Sequence, residues 1–334
     1  MSLISIDQID LHCSKELCFA GAVCDLRTNS SELAEALQGQ SISTGDTVSS
    51  GFRMRVVVNE SSDEAAGEPH FRGLHHVVTA SFGSSNVFVF DILRRTLSAS
   101  VSTKVARDDH FWKEKLIPIT LGVLGSAMGL VPVHCACLEL DGDGLLIAGV
   151  SGAGKSTLSV ALSEGGFNYV SDDWTYISRR HDGIVAHGTS APVKLLPDAV
   201  EHFQSLVGRR LQRSMNGELA YEVDIAEAFG ARVEQACQPR WLVFLERTQG
   251  AGAVFTPMSS AQTRTYVNCS VERLPPQLYE AVAMREETIE RVATLPSWRF
   301  RYGGKPQFAA KELREFIAHR RQEITYDRGI VLAP

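Results

Sequence analysis

The sequence predicts an α/β fold built around a glycine-rich turn between a strand and a helix and preceded by a β-rich N-terminal region. Three observations predict it. Residues 149–156 read Gly-Val-Ser-Gly-Ala-Gly-Lys-Ser, the spacing G-x-x-x-x-G-K-[ST], set between an apolar run and a helical pattern. Strand-like and helix-like segments alternate after residue 145. Residues 1–105 carry short alternating runs rich in β-branched residues.

The elements follow in order. Ser31–Leu37 has the pattern of a short helix, and Phe52–Asn59 alternates as a strand. The polar, acidic stretch Asn59–Glu68 reads as a mobile loop. His76–Phe82 and Asn86–Leu93 are strands around a Gly83-Ser84-Ser85 turn. Residues 108–130 form a strongly apolar helix. Its uncharged stretch Leu116–Val133 is barely long enough to span a bilayer, and its Gly and Pro content points to a buried helix ending near Gly129. Val131–Leu140 and Leu145–Val150 flank Asp141-Gly142-Asp143-Gly144 as a hairpin. Ser156–Leu162 carries apolar residues on one helical face, stopped by Gly165-Gly166. Phe167–Val170 is a strand ending at Ser171-Asp172-Asp173, and Trp174–Ser178 with Ile184–Ala186 is a further hairpin. Asp198–Val207, Pro276–Leu295 and Phe308–Glu323 read as helices, and Arg240–Glu246 as a buried strand.

The bulk properties bound the function. The chain has 334 residues, 44% hydrophobic and 22% charged, with a net charge of −6, which is ordinary globular composition. No basic stripe argues for nucleic acid. Seven cysteines, an odd number, and an N-terminus without a basic or apolar signal region point to reduced thiols in the cytoplasm. Cys13, Cys18 and Cys24, beside His12, follow no zinc-ligand spacing, whereas Cys135 and Cys137 alternate as core residues of a strand.

The loop names a ligand, the polyphosphate of ATP with Mg2+. Glycines at 149, 152 and 154 admit backbone conformations closed to other residues, so N–H groups can turn inward onto an anion. The following helix adds its positive end. The cofactor-binding set is Gly149, Ser151, Gly152, Ala153, Gly154, Lys155, Ser156 and Thr157. Within it Lys155 reaches the β- and γ-phosphates, and the Ser156 hydroxyl ligates magnesium. A hairpin symmetric about its four-residue loop sets Leu140 against Leu145 and His134 against Ser151. His134 is then either a group beside the bound phosphates or a half-buried strand histidine. Asp172 and Asp173 follow Lys155 by seventeen and eighteen residues. One carboxylate for the metal and one for a substrate hydroxyl are what phosphoryl transfer to an alcohol needs, although a turn cap after the strand uses the same residues.

These residues carry a resemblance. The stretch VHCACLELDGDGLLIAGVSGAGKSTLSVALSEGGFNYVSDDWTYI, residues 133–177, resembles the catalytic domain of HPr kinase/phosphorylase and related kinases of the phosphoenolpyruvate-carboxykinase-like P-loop superfamily. The resemblance implies a P-loop kinase core over residues 106–334; the β-rich region 1–105 does not resemble the family's N-terminal domain and is expected to serve substrate recognition. It implies His134 near the transferred phosphate, Asp172 as base and Asp173 as metal partner, and a homo-oligomer. The family's Glu-Ile-Arg-Gly-Leu-Gly segment is missing, and the corresponding region reads Ala-Pro-Val-Lys-Leu-Leu-Pro at 191–197. The likeness therefore runs to the divergent relatives. Some of these phosphorylate ribosomally made peptides such as lasso-peptide precursors, and others act on small hydroxyl compounds.

The expected activity is thus an ATP-dependent kinase with a serine-type hydroxyl acceptor, peptide or small molecule, with no nucleic-acid or membrane partner. The alternative is a P-loop ATPase or nucleotide switch without an acceptor, but the Leu-Ser-Gly-Gly-Gln-like signature of transporter motors is missing. Lys194 is a further phosphate-ligand candidate, and Arg209, Arg210 and Arg213 form a basic cluster suited to an acidic substrate, to the γ-phosphate on closure, or to a solvated helix face, the last being the better fit. Glu246 ends its strand either as a Walker-B-type acid or as a cap.

Overall fold

The structure is a computed structural model and describes residues 10–41, 48, 50–189, 191–213, 217–250, 252–271 and 273–327. The N-terminal residues read for a signal sequence lie mostly outside that set. The described chain forms two compact units. The first draws on residues 1–134, 174–191 and 264–294, the second on 135–173, 192–263 and 295–334. The units therefore interleave along the sequence rather than meeting at one boundary near residue 105.

The first unit holds a seven-stranded mixed sheet. Its order is Cys13–Phe19, Ala22–Thr28, Phe52–Asn59, Thr96–Ser102, Val87–Asp91, Val77–Phe82 and Pro69–Leu74. Alternation drives it. In Phe52–Asn59, Phe52, Met54, Val56 and Val58 are buried while Arg53 and Asn59 are exposed. The helix Ser31–Gln40 is capped by the Ser30 hydroxyl, which accepts from the Leu33 N–H, and it buries Leu33, Ala34 and Leu37. Phe82 packs edge-on against Phe88 and Phe111, with ring centroids 5.7 and 4.9 Å away. Cys24 is fully buried in this sheet, and burial pushes its thiol far up.

The apolar segment at 108–130 is helical but broken. A π-helical turn at Trp112–Leu116 leads into Ile117–Leu124, a 3-10 turn at Gly125–Met128, and Gly129 with φ 77°. Among the described residues no helix is long and apolar enough to cross a membrane. The loop expected to be mobile at Asn59–Glu68 is pinned. The Glu64 carboxylate accepts from the N–H groups of Ser84 and Ser85 and from the Ser84 hydroxyl, at 2.7–3.0 Å. These bonds hold the Glu64 carboxyl down at about 2, from an ordinary 4.5. Their contribution to stability is complete above pH 4.5 and is lost as the pH falls toward 2. Glu64→Gln is therefore expected to lower Tm at pH 6 and to match the parent at pH 2, read by thermal denaturation across that range.

The second unit holds the strands Asn168–Ser171, Ala136–Leu140, Asp143–Ala148, Ala236–Arg247, Ser297–Gly303 and Gly252–Pro257, in that order. Asp143–Ala148 runs parallel to Ala236–Arg247, which runs parallel to Ser297–Gly303; the outer pairs are antiparallel. The helices Lys155–Glu164 and Pro306–Asp327 belong to the same unit and contribute Leu158, Leu162, Leu313 and Ile317 to its core. Strands thus alternate with helices as the pattern predicts. Cys135 and Cys137 are buried, and Cys137 Sγ lies 3.4 Å from Cys237 Sγ. The segment expected to be helical at Asp198–Val207 is two 3-10 turns, Pro197–Glu201 and Gln204–Leu206.

The hairpin register differs from the symmetric expectation. Leu140 pairs with Asp143 and Ala136 with Ile147. The turn is only Asp141-Gly142, both left-handed at φ 51° and 88°, the conformation that Asp-Gly favours in two-residue hairpins. Arg321 fixes it, reaching Asp141 at 2.6 Å and Asp143 at 3.0 Å. The ladder ends at Ala136, so His134 is not paired with Ser151.

Candidate phosphate and metal site

The strand Asp143–Ala148 delivers the chain to the loop, and the ten-residue helix Lys155–Glu164 takes it away. Between them Gly152 and Gly154 hold φ of 77° and 92°, values that only glycine adopts without strain. Gly149 and Gly154 also face close neighbours. A side chain at Gly149 would meet the Leu245 carbonyl oxygen at 3.0 Å, and one at Gly154 would meet the Tyr302 hydroxyl at 2.9 Å. Tyr302 is 2% exposed, so it cannot swing aside. Gly154→Ala is expected to cost about 1–2 kcal/mol in stability from its backbone alone, and to weaken ATP binding further, read by thermal shift with and without nucleotide.

Lys155 is 7% exposed. Its Nζ donates to the Gly149 carbonyl at 3.1 Å and to that of Val150 at 3.5 Å. The ammonium is therefore held under the loop by acceptors that an anionic oxygen can replace. Ala153 is buried and its N–H is already given to Val150 O. Ser151 and Gly152 are exposed, and Ser156 and Thr157 are half-buried at the helix start.

The carboxylate that joins Ser156 is Asp172. It accepts from the Ser156 hydroxyl and the Asp173 N–H, with the Lys155 charge nearby. The residue is half-buried as a whole, but its Oδ1 is enclosed and has no hydrogen-bond partner. Burial pushes its carboxyl up from 3.8 to about 6, and the Ser156 bond opposes that rise. Asp173 differs in both respects. It is exposed, and it holds φ 65°, an αL backbone that Asp tolerates better than most residues. Burial also pushes the neighbouring Tyr169 phenol far up, with both carboxylates adding to the effect.

These residues fit a hard divalent cation. Mg2+ takes oxygen ligands, and a hydroxyl beside an enclosed carboxylate with an unpartnered oxygen supplies two. Lys155, Ser156 and Asp172 thus form one cluster in the second unit. His134 belongs to the first unit, where its ring lies 5.5 Å from that of Trp174 and its N–H donates to Ser270 O.

The other candidates find ordinary roles. Lys194 lies on the strand Val193–Leu195, in register with Glu222. Arg209 pairs with Glu227 at 3.5 Å, and Arg213 donates to Gly217 O. The basic cluster is therefore loop and short strand, not a helix face. Glu246 is exposed and pairs with Arg301 at 3.6 Å and Arg299 at 3.9 Å. Among the described residues no group of three or more His, Cys, Asp or Glu side chains converges, so the site offers a single enclosed carboxylate, Asp172, beside the Ser156 hydroxyl. Tyr302 and the Leu245 carbonyl, which shape the loop, were not singled out from the sequence, because nothing local marks a residue 148 positions after Gly154 as its neighbour.

No family model matches the chain, and no curated protein matches it. Among solved structures it is similar to the Hpr(Ser) kinase/phosphatase from Coxiella burnetii, with a TM-score of 0.31 and 14% identity, over 59% of this chain and 95% of that one.

Proposed function

We propose that the chain is an ATP-dependent kinase that passes the γ-phosphate to a serine-type hydroxyl, on a ribosomally made peptide or a small compound, in the cytoplasm. One observation carries the reading. An enclosed carboxylate with an unpartnered oxygen, Asp172, sits with Ser156 and Lys155 beside a glycine loop and a helix start. A buried acid raised to about 6 is poorly solvated, and a cation beside it removes that cost. Asp172 with Ser156 therefore takes the metal side, and exposed Asp173 takes the acceptor hydroxyl. This exchanges the roles that the resemblance implies, and the reason is the Ser156–Asp172 hydrogen bond. Bound magnesium would neutralise phosphate charge as transfer proceeds. Lys155 neutralises phosphate from beneath the loop, and the loop N–H groups and helix start orient it. Asp173 accepts the proton from the attacking hydroxyl.

The test is transfer from γ-labelled ATP with magnesium into serine-containing peptides and small alcohols. Label is expected in an acceptor, and replacing Asp173 by Asn is expected to stop transfer while sparing nucleotide binding. Brisk release of free phosphate, with no acceptor labelled, would replace the kinase by an ATPase.

A further inference from the structure

The first unit contains a cavity of about 630 Å³, within the size range of small-molecule sites. Its walls come from Phe71 and Gly73 of the edge strand, from the helix Ile117–Leu124, from Trp174 and Tyr176, and from the segment 273–277. The lining is aromatic and aliphatic. The basic side chains of the described lining are Arg273 and His75, and no carboxylate joins them. Arg273 is exposed and has no ion-pair partner among the described residues.

Two residues at this cavity are poor choices for the backbone they occupy. Gly122 sits inside the helix Ile117–Leu124, where glycine costs about 1 kcal/mol relative to alanine. A Cβ there would meet nothing within 4 Å, so no neighbour demands the glycine. Gly73, on the strand, likewise faces open space. His75 is the reverse case. Leu74 pairs with Val77, so His75 and His76 make a two-residue hairpin turn, and His75 holds φ 53° where glycine or asparagine is preferred. Stability would favour a side chain at 122 and glycine at 75. The chain instead keeps volume open at the first and an imidazole at the second, and both residues line this cavity.

We infer that the cavity binds a small aromatic acid, with its ring among Phe71, Trp174 and Tyr176 and its carboxylate toward Arg273 and His75. Rings pack edge-on or offset on such walls, and the guanidinium fork matches a carboxylate. The inference does not rest on the phosphate site. No residue of that site lines the cavity.

The test is calorimetric titration of the full chain with 2-naphthoate, alongside its neutral relative 2-naphthylmethanol. Saturable binding of naphthoate is expected, at least about tenfold tighter than the alcohol. Arg273→Gln is expected to erase that difference without weakening the alcohol. Gly122→Leu fills the cavity and is expected to reduce the binding of both by about tenfold or more. Should Gly122→Leu fail to fold, Gly73→Val fills the same space from a strand, where valine is favoured. Equal affinity for acid and alcohol would overturn the anion, and undiminished binding by the filled variant would overturn the location. Failure to saturate up to about 10 mM naphthoate would overturn the site.

Discussion

Asp172→Asn is expected to abolish phosphoryl transfer while making the protein more stable at neutral pH. The two effects come from one cause. The Asp172 carboxyl is raised from 3.8 to about 6 by burial, so the folded chain binds its proton more tightly than the unfolded chain does. Stability then falls as the pH rises from about 4 to 6, and the deficit is complete above that. Removing the charge returns on the order of 1–2 kcal/mol at pH 7, less than the whole shift would give because the residue is only half-buried. At pH 4 the gain should vanish, since the aspartate is then protonated in the folded chain. The cost falls on function. Asparagine can still accept from Ser156 but brings no charge to a cation, and transfer should drop by about 10²–10⁴. Thermal denaturation at pH 7 and pH 4, set beside the transfer assay, checks both halves. A variant that is less stable at pH 7, or that transfers at the parent rate, removes Asp172 from the site.

Lys155→Ala has the second large effect. The lysine is buried and its two carbonyl acceptors belong to the loop itself. On the proposed reading, truncation removes the charge that would meet the phosphates, and it leaves the Gly149 and Val150 carbonyls without that donor. Transfer efficiency should fall by about 10³ or more. The change also has a signature of its own. The Lys155 charge holds the Asp172 carboxyl down, so its loss should push that carboxyl still higher. Residual activity would then begin at a higher pH than in the parent. Arginine should not rescue it, because a planar fork does not fit where a compact ammonium sits. ATP–magnesium titrations and a pH–rate profile read both outcomes, and binding within about twofold of the parent would contradict the role.

Part of this was legible in the sequence. Glycine spacing around Lys155 and Ser156 defines the loop because other residues adopt φ near 77° and 92° only with strain. The strand Phe52–Asn59 was legible to the residue because one of its faces is buried and every second side chain reports it. The hairpin register was not, because Asp141-Gly142-Asp143-Gly144 offers more than one turn. The two-residue turn won because Asp141 and Gly142 both adopt left-handed backbone. His134 was placed from that register and moved with it. Which carboxylate meets Ser156 was equally hidden: Asp172 and Asp173 are identical in sequence and differ only in burial, which the fold imposes. The edge strand Pro69–Leu74 leaves no periodic signal in the sequence because its residues are almost all exposed.

The packing of Tyr302 under Gly154 sets an order of events during synthesis. The loop is translated about 150 residues before the tyrosine that seats it. At roughly 5–20 residues per second, ribosomes need on the order of 10 s to cover that distance. Until then the nascent cradle lacks its aromatic floor and the strand Ser297–Gly303 beside Ala236–Arg247. The cradle therefore closes only after the strand Ser297–Gly303 has been made, and a product cut short before it carries the glycine motif without its aromatic floor.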